Sequence, residues 1–252
     1  MRIAVAGATG NIGALTVAVL ERAGHEVVGI SRSLGVDLIT GEGLDQALTG
    51  VDAVVDATNG PALERDKLVE YFATTTTNLL AAERRAGVRH HVLLSIVGIH
   101  GVDGNDHYYG KREQERLVQA GGVPWSIVPA TQFHDFAAMV AGWTERDGVA
   151  TLPPLLVQPV APADVAEFLA EVATGEPVGL HPGLAGPERH DLVDMARRTH
   201  QAQGRDVKLV PTWDGVIGVE MAGNVLLPGE GARIAPTTFD QWLETQRVTA
   251  VR

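Results

Sequence analysis

Along the first half of the chain the apolar positions keep a two-part rhythm. Short runs of Ile, Val, Leu and Ala alternate with longer stretches in which they return every three or four residues. The short runs predict strands buried on both faces, and the longer stretches predict amphipathic helices lying against them. Residues 2–6 form the first run. Ile12, Leu15, Val19 and Leu20 then recur at helical spacing, with Gly24 as a stop. Further strands are predicted at 26–30, 35–39, 52–60 (with the exit loop Thr58, Asn59 and Gly60) and 91–98. A helix falls near 44–48 and a long one over 63–85, with Leu68, Phe72 and Leu79 on one face. The four threonines at 74–77 are mediocre helix formers, so they read as packing residues. Residues 101–110 read as a polar loop, 111–120 as a helix closed by Gly121 and Gly122, and 123–128 as a sixth strand. This alternation predicts an α/β fold, a Rossmann-like doubly wound parallel sheet.

Beyond Pro129 the rhythm weakens. Residues 149–160 read as extended, although Pro153, Pro154 and Pro159 fit poorly in a central strand. Helices are predicted over 165–172, with Asp164 as N-cap, and over 192–203, with Gly204 as stop. A strand is expected at 207–210, an apolar stretch at 216–227, and a last helix capped by Thr238 and running through Trp242. The expected division is a core over 1–135 and a small C-terminal elaboration over 136–252 that completes the fold and a substrate pocket.

Composition narrows the function. At 252 residues, 45 % hydrophobic and 20 % charged, the chain can bury one sizeable core. A formal net charge of −11 argues against nucleic-acid binding through a broad basic surface, while leaving room for a local phosphate pocket. The absence of cysteine excludes disulfides, thiolate metal sites and cysteine nucleophiles. No apolar run approaches a membrane span, and the first strand starts at the initiator methionine, so a cytoplasmic protein without membrane association is expected. Nothing in the sequence speaks to oligomeric state.

The candidate chemistry begins where the first strand ends, at Gly7-Ala8-Thr9-Gly10-Asn11-Ile12-Gly13. A strand feeding a glycine-rich turn that opens a helix is the arrangement that holds a dinucleotide pyrophosphate. The glycines permit a tight turn and close backbone approach, and free N–H groups at the helix start face the anion. The spacing is G-x-x-G-x-x-G, a departure from the commoner G-x-G-x-x-G. After the second strand, where an NAD site places a carboxylate on the ribose 2′-hydroxyl, stand Ser31, Arg32 and Ser33. A guanidinium pairs with a 2′-phosphate and hydroxyls donate to it, which favours NADP(H) over NAD(H). Asp37 is placed to meet an adenine amino group. Thr58 and Asn59 should face the cofactor, because ligands of such sheets lie beyond the strands' carboxyl ends.

By this point, and with Asn78-Leu79-Leu80-Ala81-Ala82, Leu94-Ser95-Ile96-Val97-Gly98, the segment from Lys111 to Glu115, and Pro129-Ala130-Thr131-Gln132-Phe133, the sequence resembles a known family. It is similar to the atypical short-chain dehydrogenases/reductases of the NAD(P)H-binding, NmrA-like kind. The resemblance covers roughly the first 135 residues, with a weaker echo at Ala163-Asp164-Val165-Ala166. It implies a Rossmann core, an NADP-type cofactor contacted also by Ser95, Lys111 and Pro129, and a variable C-terminal region closing over the substrate. Enzymatic members often use a serine, a tyrosine, and a lysine four residues after the tyrosine. The tyrosine hydroxyl exchanges a proton with the substrate oxygen, while the lysine charge lowers its pKa.

Ser95 and Lys111 fit two of those places, but His107 stands where the tyrosine should be. Tyr108 and Tyr109 come three and two residues before the lysine. Three readings stay open: Tyr108 as donor from an irregular segment, His107 as donor, or hydride transfer without a protein donor. Tyr109, Gln132 and Phe133 are the candidate substrate contacts, and His134 with Asp135 would either touch substrate or cap a helix. No histidine spacing points to a metal. Trp143, Trp213 and Trp242 read as packing residues. The favoured function is an NADPH-dependent oxidoreductase passing a hydride to a small carbonyl, enone or quinone. The alternative is a non-enzymatic NADP(H)-sensing regulator, with a cofactor-retaining isomerase or epimerase third.

Overall fold

The computed structural model describes residues 1–61, 64–215 and 217–249. The start of the long helix expected at Leu63 and the start of the apolar stretch expected at Val216 lie outside the described residues. Five strands and four helices alternate through the first half. They are β1 (Arg2–Ala6), α1 (Asn11–Arg22), β2 (Glu26–Ile30), α2 (Leu44–Ala47), β3 (Ala53–Asp56), α3 (Arg65–Ala86), β4 (His90–Ile96), α4 (Asp106–Ala120) and β5 (Trp125–Ala130). The strands lie side by side in the order β2, β1, β3, β4, β5, every pair parallel. The order reverses between β1 and β3, and a crevice at the carboxyl ends beside such a reversal is where ligands of these sheets sit. Ile3, Val5, Val54, Val55, Val92 and Leu93 are fully buried. Burial of each such side chain stabilises the fold by roughly 1.5–3 kcal/mol.

Three expectations need correction. Residues 35–39 do not form a strand. Gly35 and Gly41 take left-handed backbone, the Asp37 N–H donates to Glu42 O, and Asn78 on α3 donates to Leu38 O and Ile39 O at 2.9 Å each. Those bonds occupy the backbone in turns, so the edge strand is absent and β2 ends the sheet. Second, the helix expected from Lys111 starts five residues earlier, at Asp106. Asn105 caps it by accepting the Tyr108 N–H at 3.1 Å. Gly110, read as a loop residue, lies inside this helix because a Cβ there would meet Phe72 Cδ2 at 2.5 Å. The glycine lets α3 and α4 touch. Third, Asp164 is not an N-cap: α6 (Pro162–Thr174), which follows α5 (Phe136–Thr144), β6 (Val149–Leu152) and β7 (Leu156–Val157), begins with proline in its first turn. The Asp164 carboxylate instead accepts from Thr237 N and Oγ1 at 3.0 and 2.9 Å, tying down the C-terminal segment.

The second half both extends the sheet and builds a layer over one end of it. β8 (Gly179–Leu180) and β9 (Leu184–Ala185) pair in parallel with β5, and α6 packs on α1. After β10 (His190–Asp191), α7 (Leu192–Ala202) and β11 (Lys208–Pro211), β12 (Arg233–Ile234) pairs with β9. α8 (Phe239–Thr249) follows, and its first turn carries the expected Thr238 cap: the hydroxyl accepts the Gln241 N–H while Gln241 Oε1 accepts the Thr238 N–H. The extended segment at 149–160 is split between β6, which pairs with β11, and β7, which pairs with β10. Side chains of α5, α7 and α8 join Ile99, Val102 and Tyr108 in one apolar cluster. The C-terminal layer therefore sits against the loop that leaves β4, at the carboxyl end of the sheet.

Candidate functional site

The glycine loop has the shape of a cradle. Gly7 turns with φ +80°, and its N–H donates to Ile30 O, while Gly10 N–H donates back to Gly7 O. A Cβ on Gly13 would lie 2.0 Å from Gly7 O, so only glycine lets the helix start this close to the loop. α1 begins at Asn11, carries no acidic residue in its first turn, and has no side-chain cap at Gly10. Its first N–H groups and its positive dipole end are thus left for an anion. Thr9, Gly10 and Asn11 are exposed, and Ile12 and Gly13 are buried beneath them. The Asn11 amide donates to Asp135 Oδ2 at 2.9 Å, linking this helix to the start of α5; burial holds the Asp135 carboxyl above its ordinary range.

Ser31, Arg32 and Ser33 leave the carboxyl end of β2 in a short 3-10 turn over Arg32–Leu34. The Ser31 and Ser33 hydroxyls are 3.0 Å apart, and Arg32 is exposed and makes no ion pair among the described residues. An exposed guanidinium flanked in sequence by two serines, beside an uncapped helix start, fits a dinucleotide carrying a 2′-phosphate. Asp37 is half-buried, its Oδ1 accepting the Ile39 N–H two residues on at 2.7 Å.

Behind the cradle a buried polar network closes the carboxyl ends of β3 and β4. Asp56 accepts from Thr58 N and Oγ1 at 2.9 and 2.6 Å, and Asn59 is exposed beyond it. The Gln114 amide, on α4, donates to Asp56 Oδ2 at 2.9 Å and accepts from Lys111 Nζ at 2.5 Å. Lys111 Nζ also donates to Leu94 O at 2.8 Å. Burial pulls Lys111 down to about 8, with the nearby Asp56 and Glu115 carboxylates acting against it. Next along the sheet, Ser95 Oγ donates to Glu115 Oε1, and the other carboxylate oxygen of Glu115 lies 2.7 Å from His100 Nε2. Ser95, Lys111 and Glu115 are only 2–3 % exposed, whereas the His100 side chain is 69 % exposed. Ser95 is paired in register with Pro129 on β5, so both stand at the same height on the sheet.

Because α4 is regular through this segment, its phase decides which side chains share a face. His107 and Lys111, one turn apart, both approach Phe72: the rings are 5.8 Å apart and Lys111 Nζ lies 5.4 Å from the Phe72 centroid. Burial, then the Lys111 charge, pulls His107 down to about 4, so it is neutral at pH 7. Tyr108 points instead into the C-terminal apolar cluster; burial pushes its hydroxyl up to about 12, partly offset by Gln132. Tyr109 faces outward between the guanidiniums of Arg65 and Arg112, which lie 3.9 and 4.3 Å from its ring centroid. Gln132 is buried with its Oε1 unpartnered, and Phe133 packs on the core beside α6. His134 is buried and bonded to Pro159 O at 3.1 Å, against Phe239 and Trp242.

Four of these groups escaped the sequence reading: Asp56, Gln114, Glu115 and His100. Gln114 and Glu115 lie three and four residues after Lys111, the spacing that puts side chains on one helix face, so that signal was present. For His100 there was only its place just past a strand's carboxyl end.

The chain matches the family model described as NAD(P)H-binding over residues 7–176. It is 30 % identical to the (4-alkanoyl-5-oxo-2,5-dihydrofuran-3-yl)methyl phosphate reductase of Streptomyces griseus subsp. griseus, over 98 % of this chain and 88 % of that protein. Among solved structures it is similar to MoeE5 in complex with UDP-glucuronic acid and NAD, with a TM-score of 0.77, 19 % identity and 98 % of each chain covered. It is also similar to an NADPH-dependent quinone oxidoreductase from Escherichia coli complexed with NADPH, with a TM-score of 0.65 and 18 % identity over 83 % of this chain and 78 % of that one. At those identities the two structures speak for the fold.

Proposed function

This chain belongs to the NAD(P)H-binding family, and from that premise we propose that it is an NADPH-dependent reductase of a small carbonyl, enone or quinone. The observation that carries the cofactor choice is Arg32, exposed without an acidic partner among the described residues and flanked in sequence by Ser31 and Ser33, where an NAD site would hold a carboxylate. On this reading the first turn of α1 holds the pyrophosphate, and Arg32 with Ser31 and Ser33 takes the 2′-phosphate. Thr58, Asn59 and Pro129 line the path toward Ser95 and Lys111 at the nicotinamide end. When bound, the nicotinamide supplies a hydride. The buried Lys111 ammonium places a fixed positive charge beneath that end, held by Leu94 O and Gln114. Gln132, with its free Oε1, offers an acceptor at the floor of the acceptor pocket, and the C-terminal layer excludes water from above.

The relative's name, a reductase of an alkanoyl-bearing oxodihydrofuran phosphate, supports an acceptor in which the reduced bond is polarised by a carbonyl. The test is NADPH oxidation, followed at 340 nm as an ordinary absorbance assay, against quinones, aldehydes, ketones and acylated butenolides. Turnover with one class is expected; tight NADPH binding with inertness across all classes overturns the reading. That outcome would favour an NADP(H) sensor, which the burial of Ser95, Lys111 and Tyr108 already accommodates.

A further inference from the structure

The reductase reading leaves one requirement open, a protein group that gives a proton to the acceptor oxygen as hydride arrives at the acceptor carbon. Each group expected from sequence is ill-suited. Tyr108 is buried in the apolar cluster, His107 is neutral beside Phe72, and the Lys111 ammonium is spent on Leu94 O and Gln114. Ser95 is buried with its hydroxyl committed to Glu115.

We propose that His100 is the proton donor, held in orientation by the buried Glu115 carboxylate, which Ser95 fixes in place. The proposal rests on the reductase reading above. Its geometry is that of a carboxylate–imidazole pair with one open end. Glu115 is almost wholly buried, and its two oxygens are split between partners: Oε1 accepts from Ser95 Oγ and Oε2 faces His100 Nε2 at 2.7 Å. The carboxylate therefore claims Nε2–H, which sets the tautomer and leaves Nδ1 as the exchanging nitrogen. Nδ1 makes no hydrogen bond among the described residues, and the side chain is 69 % exposed, so it can meet an acceptor. The loop bearing it leaves β4 at the carboxyl end of the sheet, and the C-terminal segment packs on that loop at Gly98, where a Cβ would strike Val225 O. His100 thus lies two residues beyond the point where the C-terminal segment meets this loop.

In the step itself the imidazolium Nδ1–H bond breaks and an O–H bond forms on the acceptor, while the electron pair enters with the hydride from NADPH, which is oxidised to NADP⁺. The imidazole takes its next proton from solvent. Glu115 acts as a positioning residue, its Oε2 holding the imidazole through Nε2. Lys111 acts electrostatically on Glu115, Arg112 on α4 binds the His100 loop at Ile99 O and Val102 O and pairs with Asp103, and Glu220 lies beside Gly104 on the same loop.

The decisive variants are His100→Gln, at an exposed position whose loss spares the core, and Glu115→Gln, which keeps volume. With the acceptor consumed fastest by the wild type, His100→Gln should lower kcat about 100-fold and abolish the fall of kcat at high pH. The NADPH dissociation constant should stay within about twofold. Separately, in cofactor-free protein, 15N NMR of the His100 imidazole should show the Nε2–H tautomer in wild type and a mixed tautomer population in Glu115→Gln. An unchanged His100 tautomer in Glu115→Gln overturns the pairing. If the wild type oxidises NADPH and His100→Gln does so within twofold, with an unchanged pH profile, His100 is not the donor and the reductase reading survives. A wild type that binds NADPH but oxidises it with none of the acceptor classes overturns that reading and the donor with it.

Discussion

Replacing Gly13 by Ala puts a single methyl group where the structure has no room for it. The new Cβ would lie 2.0 Å from Gly7 O, 2.6 Å from Gly7 C and 3.1 Å from Ala8 Cα, all backbone atoms. Ordinary contact begins near 3.4 Å, so loop and helix must separate by about 1.4 Å. Backbone cannot swing aside as a side-chain tip can, which places the cost at the upper end of the ~1–3 kcal/mol of overpacking. The better helix propensity of Ala returns about 1 kcal/mol of that. Binding suffers more than folding, because the same shift moves the N–H groups off the pyrophosphate. Loss of two charge-assisted hydrogen bonds at ~1.5 kcal/mol each weakens NADPH by about 100-fold. Gly10→Ala is the internal comparison. Its Cβ meets only Gly7 O, at 3.2 Å, so a few tenths of an ångström accommodate it and a change below about fivefold is expected. NADPH fluorescence titration gives the affinities and urea unfolding gives the stabilities. A Gly13→Ala protein that binds NADPH as tightly as wild type refutes the assignment of this loop to the pyrophosphate.

Two further outcomes follow from the same site and its support. Arg32→Ala should weaken NADPH by about 10- to 100-fold, the worth of one hydrogen-bonded charge pair, and leave NADH within twofold; equal losses for both cofactors would remove Arg32 from 2′-phosphate recognition. His134 carries a pH dependence of stability: burial pulls it to about 4, with its bond to Pro159 O acting against that. Its folded pKa is thus below the unfolded value of about 6.5, so between those limits the unfolded chain binds the extra proton. Stability should fall as pH drops through 6.5 toward 4 and level off below, by up to about 3 kcal/mol for this one group. Urea unfolding at pH 7, 5.5 and 4.5 should show a shallower decline for His134→Gln than for wild type, and parallel curves would mean that His134 already protonates in the fold.

The central strands were legible because they are buried on both faces, so their apolar runs carry no competing reading; β1 falls where the pattern put it, and so does the half-buried edge strand β2. The failures came where polar side chains decided the backbone. Residues 35–39 have strand-like composition, yet Asn78, forty residues away, takes their carbonyls and holds them as turns. No local pattern encodes a partner at that distance. The start of α4 was misplaced for a second reason: Gly110 carries a turn signal, and only the packing of Phe72 reveals that it marks a close helix crossing instead.

That misplaced helix start governs the whole question of proton transfer. With residues 101–110 taken as a loop, Tyr108 is free to swing toward the nicotinamide, and the missing tyrosine looks like a register slip of one residue. With α4 running from Asp106, the phase is fixed: one turn before Lys111 is His107, Tyr108 is rotated by about 100° into the C-terminal cluster, and Tyr109 faces solvent. The same regular helix, continued one turn beyond Lys111, delivers Glu115 to Ser95 and His100. Thus the face that fails to supply a phenol supplies a buried carboxylate, whose two oxygens are taken up by Ser95 and His100. Ser95, the better-recognised residue, becomes the anchor of that carboxylate. The histidine that this carboxylate holds is exposed and keeps its Nδ1 without a hydrogen bond among the described residues.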